Sequence, residues 1–231
     1  MKTVGVIGGM SWESSAVYYR LINQGVAARA GGLHSAPLLL HSLDFAGIAA
    51  AQAAGDWAGL ANQLSTAAQG LVRAGAGAVL LATNTMHKLA DAVQAAAGVP
   101  LLHIADATGA ALQAAGITRA GLLGTRFTME DPAIVQDRLQ RHFGVSSLVP
   151  DAAGRAEVHR VVYEELCRGR IEAASRVAYQ RQIAALQAAG AQAIILGCTE
   201  IGLLIEPHHS PLPVFDTTSL HAAAAVNWIY S

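Results

Sequence analysis

Two short polar clusters in this chain each follow an apolar run. Thr83-Asn84-Thr85 comes just after AVLL at residues 78–81, and Cys198-Thr199-Glu200 comes just after AIIL at residues 193–196. Hydroxyl, amide and thiol groups can bind a carboxylate or exchange a proton. A thiol is a suitable base because its surroundings can lower its pKa from about 8.5. Both clusters are therefore candidates for proton-transfer chemistry.

The two clusters occupy matching positions of an internal repeat. LVRAGAGAVLLATNT at residues 71–85 aligns without a gap with LQAAGAQAIILGCTE at residues 186–200, so Thr83 matches Cys198 at an offset of 198 − 83 = 115. VGVIGGM near the start aligns with AGLLGTR at a nearly equal offset, 124 − 8 = 116 for the glycine of each. The repeat predicts two similar lobes of about 115 residues, which is a common domain size.

Apolar runs alternate with long alanine-rich segments along the whole chain. Continuous runs of Val, Ile and Leu are typical of parallel strands that are covered on both faces. The alternation predicts an α/β fold of two pseudo-twofold-related lobes, each a mainly parallel sheet flanked by helices. The predicted strands are residues 3–7, 37–41, 78–81, 100–104, 120–123, 146–149, 193–196 and 212–215.

The lobes are expected to enclose one site. The predicted boundaries are 1–115 plus 210–231 for the first lobe and 116–209 for the second, with the last strand and helix, 212–230, packed on the first lobe. Ligands of open α/β sheets bind beyond the carboxyl ends of the strands, where backbone N–H groups can also face an anion. We therefore expect Thr83 and Cys198 on opposite sides of one cleft. Inversion of a carbon centre needs such a pair, because one group removes a proton from one face and the other delivers a proton to the opposite face.

Composition argues against several classes of function. The net charge of −1 over 231 residues gives no bulk attraction to nucleic acid or anionic membranes. Neither a membrane-spanning run nor a secretory signal occurs, so we expect a soluble, cytoplasmic protein. The histidines and cysteines lack metal-ligand spacing, neither Lys2 nor Lys88 suits a Schiff base, and GGMS lacks the dinucleotide fingerprint. We expect no metal and no organic cofactor.

Six motifs, in order, resemble the aspartate/glutamate racemase family of the Asp/Glu/hydantoin racemase superfamily. They are VIGGMSWES, TNTMHKLAD, HIADAT, LLGTRFTM, YEELCRG and GCTEIGLL, and the resemblance runs across essentially the whole chain. The resemblance implies a cofactor-independent enzyme of two α/β lobes with the site between them, commonly a homodimer, acting on a small acidic amino acid. It is closest to the branch of L-aspartate/glutamate-specific racemases, which have threonine at the first acid/base position.

The resemblance also implies roles for single residues. Thr83 and Cys198 would be the two acid/base residues, and Asn84, Thr85 and Thr199 would bind the amino-acid end of the substrate.

Three further positions complete the implied site. Met10 would contribute its backbone N–H, Gln52 lies where the family has a loop over the substrate, and Glu200 would orient the site near Cys198.

Departures from the family pattern concern the substrate's side-chain carboxylate. Some aspartate racemases have an arginine near the position of Gln52 and a lysine at the position of Cys167. Their absence weakens the case for strict aspartate specificity, and Arg126 and Arg168 are possible replacements.

Other interpretations remain open at this point. Cys198 could be a small buried hydrophobe, Asn84 and Thr85 could cap a helix, and Cys167 fits a packing role in VVYEELC. His87 fits a supporting role better than a chemical one. Two alternative functions also fit: another enzyme of the superfamily, such as a dicarboxylate decarboxylase or isomerase, or a non-catalytic dicarboxylate-binding protein.

Overall fold

The computed structural model describes all 231 residues, which form two compact units. The first unit comprises Met1–His103 and His221–Ser231, and the second comprises Ile104–Leu220. Each unit has one four-stranded parallel sheet, as the sequence predicts. The strands are β1 (Val4–Gly8), β2 (Leu38–Ser42), β3 (Ala78–Leu81) and β4 (Leu101–Leu102) in the first sheet, and β5 (Arg119–Gly124), β6 (Ser146–Leu148), β7 (Ala193–Gly197) and β8 (Val214–Asp216) in the second.

The two sheets have the same topology. The strand order is β2-β1-β3-β4 in the first sheet and β6-β5-β7-β8 in the second. Val4 lies opposite Ala78 in the first sheet, and Ala120 lies opposite Ala193 in the second. These are the positions that the sequence repeat aligns, at offsets of 120 − 4 = 116 and 193 − 78 = 115, so the repeat is confirmed at the level of strand register.

Helices connect the strands, and polar caps or glycines mark their ends. Asp56 and Asp151 each accept a hydrogen bond from a backbone N–H of the first turn, and Gly55 and Gly144 end helices in the left-handed conformation. The helices are α1 (Trp12–Ala30), α2 (Phe45–Ala54), α3 (Trp57–Arg73), α4 (Ala90–Ala97), α5 (Ile104–Ala114), α6 (Arg126–Glu130), α7 (Gln136–Phe143), α8 (Ala152–Glu164), α9 (Ala173–Ala188), α10 (Ile201–Leu204) and α11 (Thr217–Ile229). None of them combines the length and the hydropathy that a membrane span requires.

The two central strands of each sheet are buried on both faces. In the first unit Val6 and Leu80 belong to one apolar cluster, and their neighbours Ile7 and Leu81 belong to another. The second sheet divides its strands between two clusters in the same alternating way. Burial on both faces explains why the strands are continuous apolar runs.

A repeated glycine allows a helix to approach each sheet closely. A Cβ added to Gly5 would lie 3.1 Å from Cβ of Leu71, and a Cβ added to Gly121 would lie 3.2 Å from Cβ of Leu186. Leu71 and Leu186 are themselves matched positions of the repeat, in α3 and α9. The same leucine-on-glycine contact therefore seats the helix that leads into β3 and the helix that leads into β7.

The end of the chain differs from the sequence-based prediction. The strand predicted at residues 212–215 was expected to pack on the first lobe, and this is wrong. β8 pairs in parallel with β7, with Val214 opposite Ile194, just as β4 pairs with β3. Hydropathy marks a strand as buried but does not say which free sheet edge supplies its hydrogen-bond partners.

The division of the chain also lies elsewhere than the predicted boundaries of 115/116 and 209/210. It falls at 103/104 and 220/221, because α5 groups with the second unit and most of α11 with the first. Ala105 and Leu112 of α5 share an apolar cluster with Leu139 of α7, whereas Ala222 and Val226 of α11 pack in the first unit.

Candidate active site

The first polar cluster follows β3 in the interior of its sheet. Asn84 and Thr85 are buried, and Thr83 is half-buried. The segment Thr85–Leu89 is a short 3₁₀ helix, and the regular helix begins only at Ala90. The cluster therefore lies at the carboxyl end of β3, as the sequence predicts.

A group of buried aromatic rings supports this turn. His87 Nδ1 lies 2.8 Å from the carbonyl oxygen of Thr83, so the ring donates to the backbone of that residue. The rings of His103 and His221 lie 4.5 and 5.7 Å from His87, and Tyr18 Oη is 2.8 Å from His221 Nδ1. The pKa of His87 lies well below its usual value, mainly because the ring is buried. The nearby rings of His103 and His221 lower this pKa further. The His87 ring is therefore neutral and fixes the position of Thr83, which agrees with the predicted supporting role.

Met10 lies in the tight turn between β1 and α1. Gly9 precedes it with φ of +82°, and a Cβ on Gly9 would lie 2.1 Å from the carbonyl oxygen of Leu43, so only glycine fits. The N–H of Gly9 donates to Ser15 Oγ at 2.7 Å. These contacts fix the backbone on which Met10 lies, while its side chain is in the core.

Gln52 lies in α2, and its side-chain amide has an unsatisfied hydrogen-bond donor. The residue is only 3 % exposed. Its side-chain Nε2 is buried and has no hydrogen-bond partner. A buried donor without an acceptor costs about 1–3 kcal/mol. An acceptor that entered this part of the first unit would remove that cost.

The second polar cluster follows β7 and centres on a buried carboxylate. Cys198 Sγ donates to Glu200 Oε2 at 3.0 Å, and Thr199 Oγ1 donates to the same oxygen at 2.6 Å. Cys167 Sγ lies 3.7 Å from the other oxygen, Oε1. Cys198 is 8 % exposed and Glu200 is 3 % exposed. Two thiols and a hydroxyl thus converge on one acidic side chain.

The electrostatics of Cys198 differ from the sequence-based expectation. A lowered thiol pKa was expected, but burial, followed by the charge of Glu200, raises the pKa of Cys198 well above its usual value. The reason is that both effects penalise the thiolate. The resting group is therefore a thiol that is hydrogen-bonded to a carboxylate.

Two residues of this region were missed in the sequence. Cys167 fits packing in the helical pattern of YEELC, yet its thiol reaches Glu200, 33 positions further along the chain. Thr218 follows β8, next to β7, and its hydroxyl is buried without a hydrogen-bond partner. Its position beyond a strand's carboxyl end was the only signal that could have identified it.

The suggested cationic replacements lie at the surface. Arg126 and Arg168 are both exposed, and the guanidinium of Arg126 lies 5.7 Å from the ring of Phe127. No group of three or more His, Cys, Asp or Glu side chains is arranged to hold a metal ion.

We expect acid to destabilise the first unit through His87. The pKa of His87 in the folded chain lies below its ordinary value of 6.5, so below that pH the unfolded chain binds the proton more readily. The contribution of His87 to the free energy of unfolding should be fully present above pH 6.5. Below that pH the free energy of unfolding should fall by up to about 1.4 kcal/mol per pH unit. Urea unfolding between about pH 8 and about pH 5 measures this slope.

Two variants isolate the contribution of His87. His87→Gln should be less stable than the wild type at neutral pH, but its slope below pH 6.5 should be flatter, since an amide does not titrate. His142→Gln changes an exposed histidine and should keep the wild-type slope. A wild-type slope in His87→Gln would contradict the assignment.

Comparison with known proteins adds to this geometry. The family model described as Asp/Glu/Hydantoin racemase matches residues 7–225. A candidate Asp/Glu racemase from Yersinia pestis is 52 % identical, with a TM-score of 0.93 and full coverage of both chains. An aspartate racemase homologue from Pyrococcus horikoshii is 29 % identical, with a TM-score of 0.84 and full coverage of both chains.

A more distant structure shows the same fold. The aspartate racemase of Picrophilus torridus is 20 % identical, with a TM-score of 0.75, and the match covers 100 % of this chain and 95 % of that one. Since the family match spans nearly the whole chain and includes both polar clusters, this chain belongs to the Asp/Glu/Hydantoin racemase family of amino-acid racemases.

Proposed function

We propose that the protein racemises aspartate, glutamate or both without a cofactor, by two-base proton transfer at the α-carbon. The observation that supports this most strongly is the equivalence of Thr83 and Cys198. Each follows the third strand of a sheet of the same topology, at matched positions of the repeat. A reaction that removes a proton from one face and delivers a proton to the other needs two such positions.

The two acid/base groups are unequal in strength. Cys198 can become a thiolate and take the α-proton directly. Thr83 is a weak acid and a weak base, so it hands over a proton or relays one from water or a neighbour. The neutral ring of His87, which donates to the carbonyl oxygen of Thr83, holds that residue in place.

The amino-acid end of the substrate would be bound by neutral donors and acceptors. Asn84 and Thr85 from the first cluster and the backbone N–H of Met10 supply donors for the α-carboxylate. Thr199 donates its hydrogen to Glu200, and its oxygen keeps lone pairs for an ammonium group. The charge of Glu200 favours that ammonium group as well.

The side-chain carboxylate of the substrate would be bound by Gln52. The unpartnered Nε2 of Gln52 is a buried donor that requires an acceptor, and a carboxylate is a strong one. A neutral amide at this place is compatible with both aspartate and glutamate.

Isotope exchange tests the proposed reaction. In heavy water the wild type should place deuterium on the α-carbon of aspartate or glutamate, and the optical activity should decay. Cys198→Ala should lower both rates by at least about 10²-fold with an unchanged far-ultraviolet circular dichroism spectrum, because the group that takes the proton is missing. Tight binding without exchange would favour a dicarboxylate-binding protein, and release of carbon dioxide would favour a decarboxylase.

Because Thr83 is the weaker acid/base group, the two enantiomers should react by different rate-limiting proton transfers. The equilibrium ratio of the enantiomers in water is one, so kcat/KM must match in both directions. The enantiomer that faces Cys198 should nevertheless exchange its α-hydrogen with retention faster than it inverts, because delivery from Thr83 is slow. Thr83→Cys should raise inversion relative to exchange, measured by deuterium content and chirality together.

A thiol placed elsewhere is the control for that variant. Thr66→Cys adds a cysteine at an exposed position of α3 and should leave the ratio at its wild-type value. If Thr83→Cys also leaves the ratio unchanged, Thr83 is not the second acid/base group.

Gln52→Met should separate binding from stability. Loss of a hydrogen bond to a charged group should lower kcat/KM by roughly 10- to 100-fold, from about 1.5–3 kcal/mol. The substrate-free variant should be as stable as the wild type or more stable, because a donor without a partner is removed. Gln63→Met, at an exposed position of α3, should change neither quantity. Wild-type kcat/KM in Gln52→Met would argue against contact with the substrate.

Assembly is a prediction of the family resemblance, and location is a prediction of the sequence composition. We propose a homodimer in the cytoplasm, and the molar mass of the purified chain from light scattering measures the first of these.

A further inference from the structure

The carboxylate of Glu200 is positioned to exchange a proton with the thiol of Cys198. The two groups lie 3.0 Å apart, sulfur to Oε2. Thr199 donates to the same oxygen at 2.6 Å, and Cys167 lies 3.7 Å from the other oxygen. An ionised carboxylate only accepts hydrogen bonds, and here its two oxygens are oriented by three donors.

The backbone holds this arrangement in place. The N–H of Ile201 donates to the carbonyl oxygen of Cys198 at 3.1 Å, which closes a tight turn around Thr199 and Glu200. The end of β7 pairs with β5, with Gly197 opposite Gly124, and a Cβ on Gly197 would lie 2.6 Å from Leu122 Cδ1. The backbone positions of Cys198 and Glu200 are therefore set by the fold, and burial together with three hydrogen-bond donors orients the carboxylate of Glu200.

Burial creates a need for a proton acceptor. Burial and the neighbouring carboxylate raise the pKa of Cys198, so the thiol keeps its proton in the resting protein. A thiol is a poor base, and only the thiolate can take an α-proton. A partner must therefore accept the thiol proton when the substrate is bound.

We propose that Glu200 is this partner: its Oε2 accepts the proton of Cys198 and so generates the thiolate that removes the α-hydrogen. This inference rests on the proposed racemisation and adds a third group to its proton path. It gives Glu200 a chemical role in addition to orienting the site. It also explains why a carboxylate, which opposes a thiolate electrostatically, lies beside the proposed base.

The protons and electron pairs of the step balance. The S–H bond of Cys198 breaks, its electron pair stays on sulfur, and an O–H bond forms at Glu200. The thiolate then takes the proton from the α-carbon, and the C–H electron pair is left on the substrate. Thr83 delivers a proton to the opposite face and regains one from water, while Glu200 releases its proton to water.

Cys167 acts as a positioning residue in this arrangement. The thiol of Cys167 donates to Glu200 Oε1. The other oxygen of Glu200, Oε2, is then the acceptor for Cys198. Cys167 is half-buried, whereas Cys198 is buried.

Glu200→Gln tests the proposal, because the amide keeps the size of the side chain but cannot take a proton. Deuterium exchange at the α-carbon should fall by at least about 10²-fold, the low end for an acid–base group. Alkylation of Cys198 by iodoacetamide should instead stay equal or become faster across the pH range, since the charge that opposes the thiolate is gone. Peptide mass spectrometry separates Cys198 from Cys167. A merely structural role would slow both reactions together, and that outcome would overturn the proposal.

Controls separate this inference from the proposed function. Glu206→Gln, the same change at an exposed carboxylate, should exchange like the wild type. If the wild type exchanges and Glu200→Gln exchanges equally well, the role of Glu200 is wrong and the racemisation stands. If the wild type itself does not exchange, the proposed function fails.

A shorter acid provides a second variant. Glu200→Asp keeps a carboxylate but draws it back from the sulfur, so exchange should fall by at least roughly 10-fold and stay above that of Glu200→Gln. If Glu200→Gln does not fold, Glu200→Asp decides the question. Lowered exchange with wild-type alkylation supports the proposal, and wild-type exchange contradicts it.

Discussion

Parallel strands that are buried on both faces are the constraint on which the rest of this structure depends. Every residue of β3 and β7 is buried, so polar side chains are excluded there. The first positions that can carry chemistry are those where the chain leaves the carboxyl end of the strand. Thr83 and Cys198 are at these positions in the two sheets. The location of the candidate site thus follows from the way in which the sheets are buried.

Close packing turns these strand ends into rigid supports. Leu71 lies on Gly5 and Leu186 lies on Gly121, so that the helix before each of the two strands is pressed against its sheet. β7 pairs with β5 up to Gly197, immediately before Cys198. Side chains supported in this way hold distances well enough for proton transfer, which requires contact at hydrogen-bond range.

The two units share one strand topology but have different side chains at the ends of β3 and β7. Beside Thr83 the neutral ring of His87 is kept uncharged by burial, and Gln52 offers a neutral donor. Beside Cys198 the buried partner is the carboxylate of Glu200. One unit thus places a hydroxyl at its strand end, and the other places an ionisable thiol there. Burial and the neighbouring carboxylate together raise the pKa of the Cys198 thiol, because both penalise the thiolate.

The sequence by itself determined the fold class, the eight strands, the internal repeat and the positions of both polar clusters. These features depend on local hydropathy and on matched spacing, which are properties of the chain alone. Tertiary structure decided that β8 pairs with β7, that α5 groups with the second unit, and that Cys167 reaches Glu200. It also decided that the Nε2 of Gln52 is left without a partner and that the pKa of Cys198 is raised rather than lowered. The physical reason is that sheet-edge pairing, desolvation and contacts between residues far apart in the chain depend on which groups meet in space, and hydropathy patterns do not encode that.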